Sequence, residues 1–552
     1  MINMKKTNFI SICLLSVLAC TQLTGCGGGG GGTTNNLNNG QTPSLPDATW
    51  QAGAFKPAST FANYCENPRA GIDPYENKPY PDKAGSQMLE KMWARSFSHE
   101  TYLWYDELPD PNPSDFDSTV KYFDTLRTSA KTPSGKDKDQ FHYTESYEDF
   151  QKESQSGVVA GYGVRWKSIS SKPPRILKVA FTQDNSPAAL AGLQRGDQVV
   201  AIDGIDFNTA NVDEINKLRA GLAPKPGESH VFTISRLNAD TGSVEQLNMT
   251  LVAGDIESTP VQNAHIKNVN GRNIGYVQFN QFIAVGQRPL IEAFKSFANN
   301  GIDDLVLDLR YNGGGLVDMA AQLGYMLAGP TLTQASSNSN GKVFSATTYN
   351  DKLSAQNTYV HFGYRAIDWS KQIYLDEVLP SVKLNTVYIL ATEDTCSASE
   401  LVINGLRGID VNVVLIGSQT CGKPYGFYPT PNCGEVFYTV QFRSENAKQF
   451  GDYADGFTPV PSNENNTELG LSARITGCQV EDDLSHPLGS ANEAMYAAAI
   501  THIQTGQCPE PTMNQQNVAA KGAILDMQGP ALELPTHPLR NGAVLLNIKE
   551  QQ

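Results

Sequence analysis

The spacing of apolar and polar positions divides the chain into stretches of different periodicity. Asn273–Phe279, Leu305–Arg310, Thr386–Thr392 and Val413–Ile416 are short apolar runs with the length and composition of buried strands. Between the last two, Leu401, Val402, Leu406 and Ile409 share one helical face, and Arg288–Ala298 is amphipathic at the same period. Strands alternating with helices predict an α/β layer around a parallel sheet. Nearer the start, Met88, Leu89, Met92 and Trp93 recur at helical intervals within residues 83–150, so this stretch reads as a small helical domain. Residues 331–379 are polar and irregular and read as a lid or strap over a cleft. Strands follow around Glu435–Phe442, and Glu493–Ile503 reads as a closing helix. After Cys508 the chain is rich in Pro and Gln, then turns apolar at Ala543–Ile548, a stretch suited to docking as a strand.

Two polar residues fall at the ends of buried runs. Ser397 sits where the Thr386–Thr392 strand gives way to the helix, a corner that exposes a hydroxyl beside free backbone N–H groups. Lys423 sits in the loop after Val413–Ile416. If the two strands are neighbours in a parallel sheet, both loops open on one sheet edge, where α/β active sites lie. A serine needs a base to become a nucleophile, and a neutral lysine can serve. Bringing a lysine down to a pKa of about 7–8 costs roughly 3–5 kcal/mol, which demands desolvation. Cys421, Gly422, Pro424, Tyr425 and Phe427 supply uncharged surroundings. Taken alone, however, such a pair is more often an N-cap and a solvated loop lysine. Cys396 offers a thiol as another nucleophile, and His486 beside Asp482 and Asp483 offers another base.

Longer motifs decide between these readings. Ser397-Ala398-Ser399-Glu400, followed by Thr420-Cys421-Gly422-Lys423, and the upstream block Leu307-Asp308-Leu309-Arg310-Tyr311-Asn312-Gly313-Gly314-Gly315-Leu316 resemble the carboxyl-terminal processing (tail-specific) serine peptidase family. The resemblance covers roughly residues 90–505. It implies a multidomain α/β protein whose catalytic domain has a ClpP/crotonase-like fold. It implies Ser397 as nucleophile, Lys423 as general base, and an oxyanion hole from the N–H groups of Gly314 and Ala398. Many family members carry a glutamine four residues after the lysine; here that position is Phe427. Asp308 and Arg310 read as structural ion-pair partners.

Residues 156–254 resemble a PDZ domain. Gly161-Tyr162-Gly163-Val164 matches the loop before its second strand, followed by strand Arg175–Ala180, the short capped helix at Ser186–Leu193, and strand and turn Gly196–Gly204. Asn211–Leu222 would be the groove helix and Phe232–Arg236 a late strand. Such a domain binds an extended peptide as an added strand, and the N–H groups of Tyr162, Gly163 and Val164 would take a terminal carboxylate.

The remaining features concern location and partners. Lys5 and Lys6 precede an apolar run, Phe9–Leu18, too short to span a bilayer permanently. Leu23-Thr24-Gly25-Cys26 resembles a bacterial lipoprotein signal with Cys26 as the lipidated residue, Cys20 being the alternative. The glycines 27–32 then act as a flexible tether. The expected divisions are a signal peptide (1–25), a tether (26–50), the helical domain (51–155), the PDZ domain (156–254), the catalytic domain (265–505) and a C-terminal extension (506–552). The expected place is the bacterial envelope, anchored in the outer membrane and facing periplasm or cell surface, with membrane contact through Cys26. The 552 residues carry a formal net charge of −15, which argues against nucleic acid as a partner. Cys65, Cys396, Cys421, Cys433, Cys478 and Cys508 form an even set suited to disulfides in an oxidising compartment. No metal-ligand spacing and no cofactor motif is present in the sequence. The expected function is a serine endopeptidase acting on proteins or peptides with a free C-terminus; a catalytically silent peptide-binding adaptor is the alternative. Sequence does not give the oligomeric state.

Overall fold

A computed structural model describes residues 44–237, 241–464, 469–510, 529–534, 543–544 and 548–550. The lipoprotein-like signal, Cys26 and the glycine tether lie outside the described residues. Among the described residues, no helix is long and apolar enough to cross a membrane.

The centre of the molecule is a seven-stranded sheet. Its order is Val261–Val269, Arg272–Phe279, Asp304–Asp308, Thr386–Ala391, Asn412–Gly417, Arg474–Gln479 and Thr458–Val460. The first pair is antiparallel and every later pair parallel. A parallel sheet is buried on both faces, which is why its strands read as continuous apolar runs. Successive residues nonetheless serve opposite faces. Val277, Leu305, Leu307, Val387, Ile389, Val413 and Leu415 pack under the helices Gln287–Asn300, Val317–Thr333 and Ala398–Gly408. Tyr276, Val306, Tyr388, Leu390, Val414 and Ile416 pack on the opposite side against Ala494–Thr505.

The stretch 331–379, expected as a strap, contains four strands, Val343–Tyr349, Thr358–His361, Arg365–Asp368 and Ile373–Val378. Val343–Tyr349 pairs antiparallel with Thr358–His361 on one side and Phe442–Glu445 on the other. It lies against the helix Ala398–Gly408 so closely that a Cβ on Gly405 would come 2.6 Å from the Phe344 ring. The strand is stabilised by partners about a hundred residues away, which local polarity does not reveal.

The PDZ region forms an antiparallel sheet in the order Val244–Val252, Ser229–Leu237, Gln198–Ile202, Ile176–Thr182, Val164–Ser170. Ser186 caps the short helix Pro187–Leu190, and Asn211 caps the groove helix Val212–Leu222. Asn211 itself is thus the cap rather than the first helical residue.

The segment expected as a helical domain has one long helix, Gln87–Thr101, capped by Ser86, with Leu89, Met92, Trp93 and Phe97 buried. It does not stand apart. Tyr143–Ser146 pairs with Glu435–Tyr438, and Cys65 is bonded to Cys433.

Gly405→Val is expected to destabilise the fold by about 1–3 kcal/mol through overpacking against Phe344. A urea denaturation midpoint equal to that of the parent would contradict this packing.

Candidate active site

Ser397 occupies the turn between the Thr386–Ala391 strand and the Ala398–Gly408 helix. Its backbone has φ 58° and ψ −113°, a conformation an L-residue adopts only under constraint. This strained strand-to-helix turn holds the side chain at the sheet edge, as in nucleophile elbows. Ser397 is fully buried, and its Oγ has no hydrogen-bond partner. It occupies the N-cap position of the helix, but its hydroxyl makes no capping hydrogen bond. The turn is held by its neighbours: Cys396 N–H donates to Asn312 O at 3.0 Å, and Ser399 Oγ donates to the same carbonyl at 2.9 Å.

Lys423 lies in the loop beyond the adjacent strand. Cys396 and Cys421 are joined as a disulfide with Cα atoms 5.2 Å apart, so the two loops are fastened beside the two candidate residues. The bond also removes Cys396 as a thiol nucleophile. Lys423 is buried and its Nζ has no hydrogen-bond partner. The amine lies 4.1 Å from the centre of the Phe427 ring and 4.6 Å from that of Phe141. Phe427 thus takes the place of an orienting amide with an aromatic face. Burial pushes the Lys423 amine well below its ordinary pKa, while the charges of Asp139 and Glu400 pull it upward. A desolvated cation–π contact is worth about 2 kcal/mol, and removing an ammonium from water costs several, so burial prevails. Ser397 Oγ and Lys423 Nζ share this buried region but do not hydrogen-bond to each other.

Glu400 is the residue whose importance the motif did not convey. Its fully buried carboxylate accepts the N–H groups of Ser397 (2.9 Å), Gly422 (2.9 Å) and Lys423 (2.8 Å), and the Thr420 hydroxyl (2.6 Å). One side chain therefore fixes both candidate loops. Burial raises its pKa, and these hydrogen bonds oppose the rise. Phe141 and Asp139 also escaped notice, because they reach Lys423 from the amino-terminal segment. Asp139 accepts the Tyr102 hydroxyl at 2.7 Å and the Phe141 N–H at 2.9 Å.

The expected oxyanion donors stand differently. Ala398 N–H opens the helix and has no intrahelical acceptor. Gly314 N–H donates to the Asn312 side-chain oxygen at 2.9 Å and is not free in this conformation. The reason is local: Asn312 is fully buried and its amide must be satisfied, by Gly314 N–H on one side and Phe279 O on the other. Arg310 is a structural residue, paired with Asp308, Asp482 and Glu493 at 2.8–3.0 Å. His486 pairs with Asp483 at 2.6 Å and makes no bond to Ser397, whose hydroxyl is unpartnered, so the histidine alternative fails on geometry.

Tyr162, Gly163 and Val164 border a cavity of about 500 Å³ that extends to Gly313 and Tyr311. Gly163, at φ 73°, leaves no room for a Cβ, which would fall 2.2 Å from that of Ser186. The Tyr162 side chain belongs to the PDZ core, its hydroxyl donating to Gly221 O at 3.0 Å. Ion pairs join this domain to the site: Lys167 with Asp394 at 3.1 Å, just before Ser397, and Arg195 with Asp482 at 2.6 Å.

Between the folded and unfolded pKa values of Lys423, the unfolded chain holds a proton that the folded chain has released. Burial of Lys423 therefore costs stability, and the cost shrinks as pH rises towards the unfolded value of about 10.4. Lys423→Met should stabilise the fold at neutral pH by about 1–3 kcal/mol and remove this pH dependence. A less stable variant in urea titrations would mean that the amine has a favourable partner.

Residues 273–431 match Peptidase family S41, and residues 182–234 match a PDZ domain. The carboxyl-terminal-processing protease of Picosynechococcus is 27% identical over 273 residues, 49% of this chain and 56% of that protein. The chloroplastic carboxyl-terminal-processing peptidase 1 of Arabidopsis thaliana is 24% identical over 332 residues, 60% of each chain. The chain thus spans a little more than half the length of these relatives. A crystal structure of an S41 protease from Bacteroides fragilis aligns with 77% of this chain and 98% of its own, at 25% identity and a TM-score of 0.56. The chain therefore carries one stretch that matches a PDZ domain and one that matches Peptidase family S41, and it is similar to carboxyl-terminal processing proteases.

Proposed function

We propose that the protein is a serine endopeptidase that cleaves protein substrates through an acyl-enzyme, with Ser397 as nucleophile and Lys423 as general base. One observation carries this reading: an unpaired serine hydroxyl and an unpaired lysine amine are buried on loops that a disulfide and Glu400 bind together. Neither side chain has a structural role that would repay its burial.

In the proposed reaction, neutral Lys423 takes the hydroxyl proton as Ser397 Oγ bonds to the substrate carbonyl carbon. Ala398 N–H and an N–H of the Gly313–Gly315 run receive the developing oxyanion. Collapse breaks the peptide bond, and the lysine gives its proton to the leaving amine. Water then repeats the sequence on the ester. Attack requires Oγ and Nζ to come within hydrogen-bond distance and Gly314 N–H to leave Asn312. Such tightening on substrate binding is ordinary for a site seen without substrate.

The substrates in this reading are unfolded protein tails added as a strand to the PDZ groove. The Leu23–Cys26 motif and the glycines after it support lipidation of Cys26 and attachment to the bacterial envelope, at the outer membrane facing periplasm or surface.

With an unfolded substrate bearing an apolar carboxyl terminus, Ser397→Ala and Lys423→Ala should each lower kcat/KM by about 10⁴-fold or more. In the parent, kcat/KM should rise with pH through an ionisation well below that of free lysine. Cleavage that survives Lys423→Ala would assign the base elsewhere. Silence of the parent with retained peptide binding would make the protein an adaptor.

A further inference from the structure

The C-terminal extension returns to the PDZ groove. Arg175, a buried side chain held by the carbonyls of Phe207 and Thr209, donates to Pro530 O at 2.7 Å. Leu532 N–H donates to Ser171 O at 2.8 Å, just past the end of the Val164–Ser170 strand, and Arg219 of the groove helix donates to Ala531 O at 3.2 Å. Leu532 is 2% exposed within the PDZ core, and Leu534 packs on that core while bordering the cavity shared with Tyr162, Gly163, Val164 and Leu222. The segment therefore runs from Ser171 towards Tyr162, antiparallel to the strand, between it and the groove helix. A peptide added to a PDZ sheet edge takes that course.

The same extension then reaches the candidate active site. Ala543 and Val544 pair in parallel with Gly315 and Leu316, directly after Gly314, and Val544 forms a further bridge with Phe427. Val544 is 4% exposed among Cys396, Tyr425 and Phe427, so it packs on the ring that covers the Lys423 amine. Beyond it, Lys549 exchanges backbone hydrogen bonds with Gln372 and Tyr374 at 2.8 and 3.0 Å, and Glu550 pairs with Arg365 at 2.6 Å.

We infer that the C-terminal extension is a tethered peptide ligand of this protein's own PDZ groove and cleft. Leu532-Glu533-Leu534 fills the groove, and Ala543-Val544 fills a strand position beside the glycine run. The class of ligand follows from the occupant: an extended internal segment with leucine-like side chains two residues apart. A terminal carboxylate is not required, because the chain continues past Leu534. This departs from the expectation that Tyr162, Gly163 and Val164 take a chain terminus. The engaged Gly314 N–H and the unformed Ser397–Lys423 bond accompany the self-occupied arrangement. An incoming substrate must compete with the tail for the groove. A ligand carried on the same chain acts at an effective concentration of about 1 mM, so a segment with a Kd of about 0.1 mM would weaken a competitor about tenfold.

The test uses the full chain carrying Ser397→Ala, so that binding is read without cleavage and independently of the peptidase reading. The probe is a fluorescein-labelled peptide of the sequence Gly529–Thr536, followed by anisotropy. Adding Leu532→Asp and Leu534→Asp should tighten probe binding about tenfold. Unchanged or weaker binding by a folded variant would overturn the inference, and thermal melts establish that it is folded. A second measurement needs no groove variant. Millimolar unlabelled peptide should speed hydrogen exchange at Leu532 N–H in the full chain about fivefold, and unaltered exchange would overturn the inference as well. If probe binding behaves as stated while the parent cleaves nothing, the peptidase reading fails and the tethered ligand stands.

Discussion

A lysine amine held away from water without an anionic partner is the constraint on which the site depends. An ammonium in such a place costs several kcal/mol, so burial drives the amine's pKa well down. The surroundings impose this. Phe427 and Phe141 cover Nζ, and Phe141 comes from the amino-terminal segment, which the Cys65–Cys433 disulfide and the Tyr143–Ser146 strand fasten to the catalytic domain. The segment before the PDZ domain is thus a wall of the candidate site as well as a scaffold.

A second constraint opposes the first. Glu400 places a buried carboxyl group near Lys423, and an ionised carboxylate there raises the lysine pKa. The carboxylate is nonetheless needed, since it gathers the N–H groups of Ser397, Gly422 and Lys423 into one hydrogen-bonded unit. These donors absorb much of its charge, and its own pKa is pushed up by burial. The balance leaves the lysine depressed. Geometry at Ser397 and electrostatics at Lys423 are therefore set by the same side chain.

Much of this was legible in the sequence. Apolar runs located the central strands, and the Ser397 and Lys423 loops do open on one edge of a parallel sheet, because the Thr386–Ala391 and Asn412–Gly417 strands are neighbours. What escaped were contacts between distant parts of the chain. Nothing in residues 331–379 announces pairing with Phe442–Glu445, and nothing near Phe141 announces a lysine far downstream. Ser397-Ala398-Ser399-Glu400 contained the fixing carboxylate, and the spacing of a serine and a glutamate three residues on was a signal for a helix start that could have found it. The engagement of Gly314 N–H depends on the rotamer of Asn312, which sequence does not specify.

The central claim is that burial makes Lys423 a neutral base for Ser397. Its most direct test is the rate of covalent labelling by a fluorophosphonate, followed against pH, with the modified residue identified by mass spectrometry. The account predicts modification at Ser397, a rate that rises through an ionisation well below that of free lysine, and loss of labelling in Lys423→Met. Labelling at another residue, or at Ser397 with a rate that Lys423→Met leaves unchanged, would contradict it.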